Sequence, residues 1–310
     1  MFKQSTSLPE TVHIASVQVA TVWTNSKSPR ELDSLATGET TDIETWLSNL
    51  SYEEKVALCD ENRLQTQVLY GEIVLVEEVK GDWAKIIIPS QPSKKDERGY
   101  PGWVPFHQLK EVKRDEWLRP ETAAVTQKHT WLENESGEKV IKLSYMTCLP
   151  VVEVEESRVV VHTHDGKGYL TKEHVAIFPT EQGGELGDGI SIIQAGEPYI
   201  GLDYLWGGMS SFGYDCSGFA YAMHKANGIQ ISRDASDQAM HGEEVPIDQL
   251  KPGDLLFFAY EEGKGIIHHV GFYYGDGKML HSPMTGRGIE IVSLAGTKYE
   301  RELCIARRYW

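Results

Sequence analysis

The hydrophobic pattern of the chain switches between two periods. Positions 11–25 place Val12, Ile14, Val17, Val19, Thr21 and Val22 in partial alternation, with β-branched side chains that suit a pleated strand. At 29–57 the spacing lengthens. Leu32, Leu35, Ile43, Trp46, Leu47, Leu50 and Val56 recur at helical intervals, so a helical insertion is expected. Strand patterns return at 67–76 and 83–88, before a polar loop at 92–98. Positions 122–180 repeat the strand theme more weakly, at 125–131, 139–143, 148–154, 158–163 and 168–170. A glycine-dense stretch at 179–189 then marks a boundary. Beyond it the order is helices first: 190–199, 216–226 and a short one at 234–240. Strands follow at 254–258, 269–274, 278–281, 289–292 and 303–308. Helices followed by a strand meander mark an α+β class. The expected domains are 1–115 with the insertion at 29–60, then 120–180, then 181–310.

The helix at 216–226 carries the first chemical signal. Phe219, Ala222, Met223 and Ala226 form its apolar face, and Asn227-Gly228 stops it. Asp215 precedes it as an N-cap, since a carboxylate accepts the free amides of a first turn. Cys216 then sits at the positive end of the helix dipole, which is expected to lower its thiol pKa and favour the nucleophilic thiolate. Gly207, Gly208 and Gly213 just before it are expected to let backbone approach a ligand. For any one cysteine the plainer alternative is a buried structural residue, because a free thiol packs as a small hydrophobe.

Composition narrows the partners. The 310 residues are 40% hydrophobic and 25% charged, ordinary for a globular protein with real cores. A formal net charge of −16 argues against nucleic acid as a partner and against an anionic membrane surface. The four cysteines, Cys59, Cys148, Cys216 and Cys304, are far apart, with neither a disulfide framework nor a zinc ribbon in their spacing. No signal-peptide core and no membrane span is legible, so the sequence as given favours the cytoplasm; the cell wall or exterior applies if a leader was removed.

A cysteine nucleophile needs a base, and the base needs an orienting partner. His269 lies 53 residues after Cys216 on one expected strand, and His281 ends the next. Gly275-Asp276-Gly277 between them reads as a hairpin turn, which brings the two histidines together. His269 is the better base and His281 its orienter, whereas His268 faces the other side by strand alternation. The same three side chains could also ligate zinc; the capped helix position of Cys216 serves a nucleophile more directly. No cofactor and no metal is expected.

These motifs carry a resemblance. "YLWGGMSSFGYDCSGFAYAMH", "ISRDASDQAMHGEEV", "LKPGDLLFF", "HHVGFYYGDGKMLHSP" and "GIEIVSL" resemble the NlpC/P60 family of papain-like cysteine peptidases over about residues 188–310. Tyr70-Gly71-Glu72, Gly81-Asp82-Trp83 and Gly102-Trp103-Val104 resemble a bacterial SH3-like barrel, and 122–180 a second one. The implied fold is therefore α+β: a papain-like NlpC/P60 catalytic domain preceded by two small SH3-like β-barrels. The resemblance implies Cys216 as nucleophile, His269 as base and His281 as third residue. With two barrels in front, the chain resembles the YkfC-type γ-D-glutamyl-L-diamino-acid endopeptidases. These release L-Ala-γ-D-Glu from murein peptides with a free N-terminus, the substrate being L-Ala-γ-D-Glu-diaminopimelate or its lysine counterpart. Tyr204, Trp206, Asp215, Ser217 and Asp234 are the substrate-binding candidates of the catalytic domain, Tyr204 also as an oxyanion donor. Glu61 and Tyr100 are candidates from the first barrel to close the cleft. Competing readings are a wall-binding protein with an inert catalytic domain, a CHAP-like amidase acting on intact wall, and another hydrolase or acyltransferase on the same triad.

Overall fold

Two seven-stranded sheets built to one plan fill the first unit of the computed structural model, which describes residues 8–310. This unit holds residues up to Ser90, 95–184 and 210–212; a second holds 91–94, 185–209 and 213–310. In the first sheet the strands lie in the order Leu64–Leu69, Val19–Trp23, Tyr100–Pro105, Trp83–Ile88, Ile73–Lys80, Thr11–Ala15, Leu109–Lys113. In the second the order is Lys139–Ser144, His129–Glu133, Gly166–Thr171, Arg158–Thr163, Cys148–Val154, Glu121–Val125, Val175–Pro179. Numbered along the chain within each sheet, both orders read third, second, sixth, fifth, fourth, first, seventh. The sheets differ most between their second and third strands. The second sheet joins them through a turn closed by Asn134, whose backbone amide and carbonyl bond Glu138 and Gly137.

In the first sheet that same connection carries Ser34–Thr37, Ile43–Asn49 and Tyr52–Asp60, all helical. Asp42 caps the second of these through the Thr45 amide (3.0 Å). Ser51 and Glu54 form a reciprocal capping box on the third. The apolar anchor is Trp46, fully buried, edge-on to Trp23 at 6.3 Å and donating its ring N–H to Asp33 (3.1 Å).

The strand pattern expected over 67–76 is broken in the structure. Gly71 turns the chain at φ 79°, a left-handed conformation that costs glycine little, and separates Leu64–Leu69 from Ile73–Lys80. A Cβ there would also lie 2.7 Å from Leu149. β-Branched composition alone does not reveal such a break.

The second unit is a six-stranded antiparallel sheet with helices on it. Its order is Glu243–Glu244, Leu303–Arg308, Leu255–Ala259, Ile267–Gly275, Lys278–His281, Glu290–Ser293. Leu255–Ala259 is buried at every position, so it reads as a continuous apolar run. Gly189–Gly196 and Cys216–Ala226 are the main helices. The second packs on the sheet through Phe219, edge-on to Phe272 at 5.7 Å, and through His224, stacked on the same ring. The Gly275-Asp276-Gly277 turn has Asp276 at φ 51° and Gly277 at φ 68°, the left-handed pair that a tight hairpin requires. Among the described residues no helix is long and apolar enough to cross a membrane.

Candidate active site

Asp215 starts the site. Its Oδ1 accepts the Gly218 amide at 2.6 Å, so the Cys216–Ala226 helix is capped as its sequence implies. The loop before it packs tightly on the first turn. A Cβ on Gly218 would lie 2.1 Å from the Gly208 carbonyl oxygen, and one on Gly208 would lie 2.3 Å from that of Gly213. Gly208 and Gly218 are therefore needed for loop-on-helix packing.

The histidines meet as the hairpin requires. Strand Ile267–Gly275 pairs with Lys278–His281, with Phe272 opposite Leu280 and Tyr273 opposite Met279. His269 Nε2 lies 2.8 Å from His281 Nδ1, and both rings are buried. Val270, one residue past His269, directs its amide to the Cys216 sulfur, so the thiol lies against the histidine strand. With Nε2 of His269 taken up by His281, Nδ1 is the nitrogen left to receive a thiol proton. His268 turns away, stacked on Tyr260 at 4.1 Å with Nε2 3.3 Å from Glu302.

The electrostatics reverse one sequence expectation. Burial pushes the Cys216 thiol up to about 12, and the Asp215 carboxylate adds to the rise. The Val270 and Ser217 amides and the Arg233 guanidinium favour the thiolate, yet they do not outweigh desolvation. Burial likewise holds His269 well below its ordinary value, and holds His281 down to about 3, with Arg287 and Lys298 adding to the fall. Burial thus works against both charged forms, the thiolate of Cys216 and the imidazolium of His269. The helix dipole still favours the anion, but its contribution is smaller than the cost of desolvating a buried sulfur.

The other candidates divide. Both carboxylate oxygens of Asp215 are taken up by Arg233, at 3.2 and 2.7 Å, and Ser217 Oγ accepts from Arg233 at 2.8 Å and donates to Asp215 at 3.2 Å. All three side chains are buried, and Asp215 and Ser217 hold the helix start. Asp234 begins the Ala235–Gln238 turn of helix and stays partly exposed. Its neighbourhood is fastened by the 91–94 segment: Arg233 donates to the Pro92 carbonyl (3.0 Å), and the Lys94 amide donates to Asp237 (2.9 Å). Tyr204 bridges Tyr214 and donates its amide to Arg287 (3.0 Å), and Trp206 precedes Gly207 at φ 72°. Glu61 and Tyr100 belong to the other unit. Glu61 ends the Tyr52–Asp60 helix, exposed and paired with Arg63 (2.6 Å). Tyr100 opens a strand rather than standing on a turn; its ring is in the core of the first sheet, under the Lys95 ammonium at 4.1 Å.

Three residues escaped the sequence reading. Arg233 was seen only as part of a motif. Tyr299, on Lys298–Glu302, lies 5.6 Å from His269 and edge-on to His281 at 5.1 Å. Glu290 faces His281 across the sheet. The last two lack any spacing signal, because strand pairing brings in Glu290 and the packing of the last helix brings in Tyr299.

The NlpC/P60 family pattern matches residues 201–308, and the pattern named YKFC SH3b2 domain matches 125–178. The chain is 48% identical to the gamma-D-glutamyl-L-lysine dipeptidyl-peptidase of Bacillus subtilis over 96% of its own length and 98% of that protein. The chain belongs to the NlpC/P60 family. It is a cysteine peptidase of that family. A Bacillus cereus protein of the same printed name is 36% identical, over 94% of this chain and 89% of that one. The crystal structure of an NlpC/P60 family protein from B. cereus superposes with a TM-score of 0.92 at 35% identity, covering 96% of this chain and 99% of the other. So the papain-like catalytic domain behind two SH3-like barrels is a shared architecture.

Proposed function

We propose that this peptidase hydrolyses the γ-D-glutamyl-L-diamino-acid bond of murein peptides with a free N-terminal L-Ala, releasing L-Ala-γ-D-Glu in wall-peptide degradation or recycling. The observation that carries the reading is the near full-length identity to a gamma-D-glutamyl-L-lysine dipeptidyl-peptidase. The hydrogen-bonded His269–His281 pair beside Cys216 supplies a chemistry that fits it.

Cys216 is the nucleophile, His269 the base and His281 the orienter. As Sγ attacks the γ-glutamyl carbonyl carbon, the thiol proton moves to His269 Nδ1. That proton then goes to the departing amine of the diamino acid, and the C–N bond breaks to leave a thioester. His269 next takes a proton from water, whose oxygen displaces the sulfur and regenerates the thiol. The Cys216 amide, in the first turn of its helix, and the Tyr204 hydroxyl are assigned to the oxyanion. Asp234 is the carboxylate of the catalytic unit assigned to the substrate ammonium, and Trp206 to the cleft wall.

The test is cleavage of L-Ala-γ-D-Glu-diaminopimelate and its lysine counterpart, each free and N-acetylated, read by mass spectrometry. Release of L-Ala-γ-D-Glu is expected, with acetylation lowering kcat/KM by at least about 100-fold, since it removes the ammonium that the assigned carboxylate pairs with. Equal cleavage of free and acetylated peptides overturns the free-amine part. Cleavage of neither overturns the substrate class.

A further inference from the structure

His281 has a second ring nitrogen that the mechanism above leaves without work. Nε2 is buried and makes no well-formed hydrogen bond. One acceptor faces it: Glu290 Oε1, at 3.5 Å. The placement is fixed by the sheet, because His281 and Glu290 are direct partners in the antiparallel pairing of Lys278–His281 with Glu290–Ser293. The other carboxylate oxygen of Glu290 accepts from Arg287 at 2.7 Å, which orients the group. Charged and titratable groups from every neighbouring element also face His281: Arg287 from the preceding loop, Lys298 and Tyr299 from the last helix, and His269 from the adjacent strand.

Each neutral imidazole carries one N–H, and this limits the arrangements. For His269 to take the thiol proton on Nδ1, its own hydrogen must be on Nε2. His281 Nδ1 must then accept, so the His281 hydrogen is on Nε2, where Glu290 stands. In the opposite arrangement His281 donates from Nδ1 and His269 carries no lone pair toward the thiol. The Nε2 lone pair of His281 would then face a carboxylate, which is repulsive. We infer that Glu290 is a positioning residue of the active site, whose carboxylate selects the His281 tautomer that leaves His269 Nδ1 free as the base. The 3.5 Å contact is longer than an ideal hydrogen bond, as catalytic contacts often are before substrate closes the site.

The inference rests on the Cys216–His269–His281 reading, and its test separates the two. Tautomers are read directly by two-bond 15N–1H correlation in protein labelled at histidine, without substrate. Wild type is expected to show His281 as the Nε2–H form. Glu290→Ala should shift it to Nδ1–H or a mixture, and lower kcat about 10–100-fold with KM within about twofold, the usual effect of losing an outer partner that fixes a ring. Glu290→Gln keeps an acceptor in place, should retain the tautomer and most of kcat, and serves if the alanine variant folds poorly. Unchanged tautomer and kcat in Glu290→Ala overturn the inference. So does a loss confined to KM, or a fall in kcat with the tautomer unchanged. Full activity in Cys216→Ala would instead sink the triad itself.

Discussion

Arg233 is the residue whose removal most sharply tests how the nucleophile is held. Its side chain is 1% exposed, and its guanidinium donates twice to Asp215 and once to Ser217. Arg233→Met keeps most of the aliphatic volume and leaves the Asp215 carboxylate buried, with the Gly218 amide and the Ser217 hydroxyl as its remaining partners. Breaking a buried ion pair from one side costs about 3–5 kcal/mol, mostly the uncompensated charge. At about 2–4 °C per kcal/mol, melting should fall by roughly 10 °C. Asp215→Asn removes the charge and keeps a side-chain acceptor for the cap, since Asn caps nearly as well as Asp. The double variant Asp215→Asn/Arg233→Met should therefore be more stable than Arg233→Met alone. The assay is a double-mutant cycle by calorimetry, with hydrogen exchange at the Gly218 amide reporting the first turn of the helix. A single-variant loss under about 1 kcal/mol, or a double variant no better than the single, refutes the argument that the buried charge dominates.

Three further outcomes follow from the same structure. Cys216→Ala should abolish hydrolysis while Cys59→Ser, Cys148→Ala and Cys304→Ser keep it within a few-fold, and iodoacetamide but not a chelator should inactivate; retained biological effect in Cys216→Ala would favour a wall-binding role. Burial holds His224 down to about 4 and His281 down to about 3, below the unfolded value of 6.5. A depressed folded pKa means the unfolded chain takes up protons first, so stability is full above pH 6.5 and falls as pH drops. Each histidine should cost about 2–3 kcal/mol between pH 6.5 and 4.5. A melting temperature equal at pH 7 and 4.5, or an acid loss unchanged in His224→Gln, contradicts this. Finally, Gly218→Ala should destabilise by at least about 2 kcal/mol, despite the roughly 1 kcal/mol by which alanine favours a helix, because the added Cβ meets the Gly208 carbonyl oxygen at 2.1 Å. Thermal melting at or above wild type would show that the loop gives way.

What the sequence determined by itself was local, or repeated in a short motif. The cap at Asp215, the helix behind Cys216, the stop at Asn227-Gly228 and the hairpin at Gly275-Asp276-Gly277 each rest on residues within a few positions of one another. Backbone sterics and hydrogen bonding act at that range. The pairing of His269 with His281 was also legible, because a two-strand hairpin converts their separation of 12 into adjacency. Tertiary structure decided the rest. It placed Glu290 behind His281 through strand register, laid Tyr299 over both rings from the last helix, and turned Asp215 and Ser217 inward onto Arg233. It also reversed the sign expected for the Cys216 thiol. A helix start is visible in sequence, but the desolvation that outweighs it depends on every element packed around the sulfur. That sum exists only once the chain has folded.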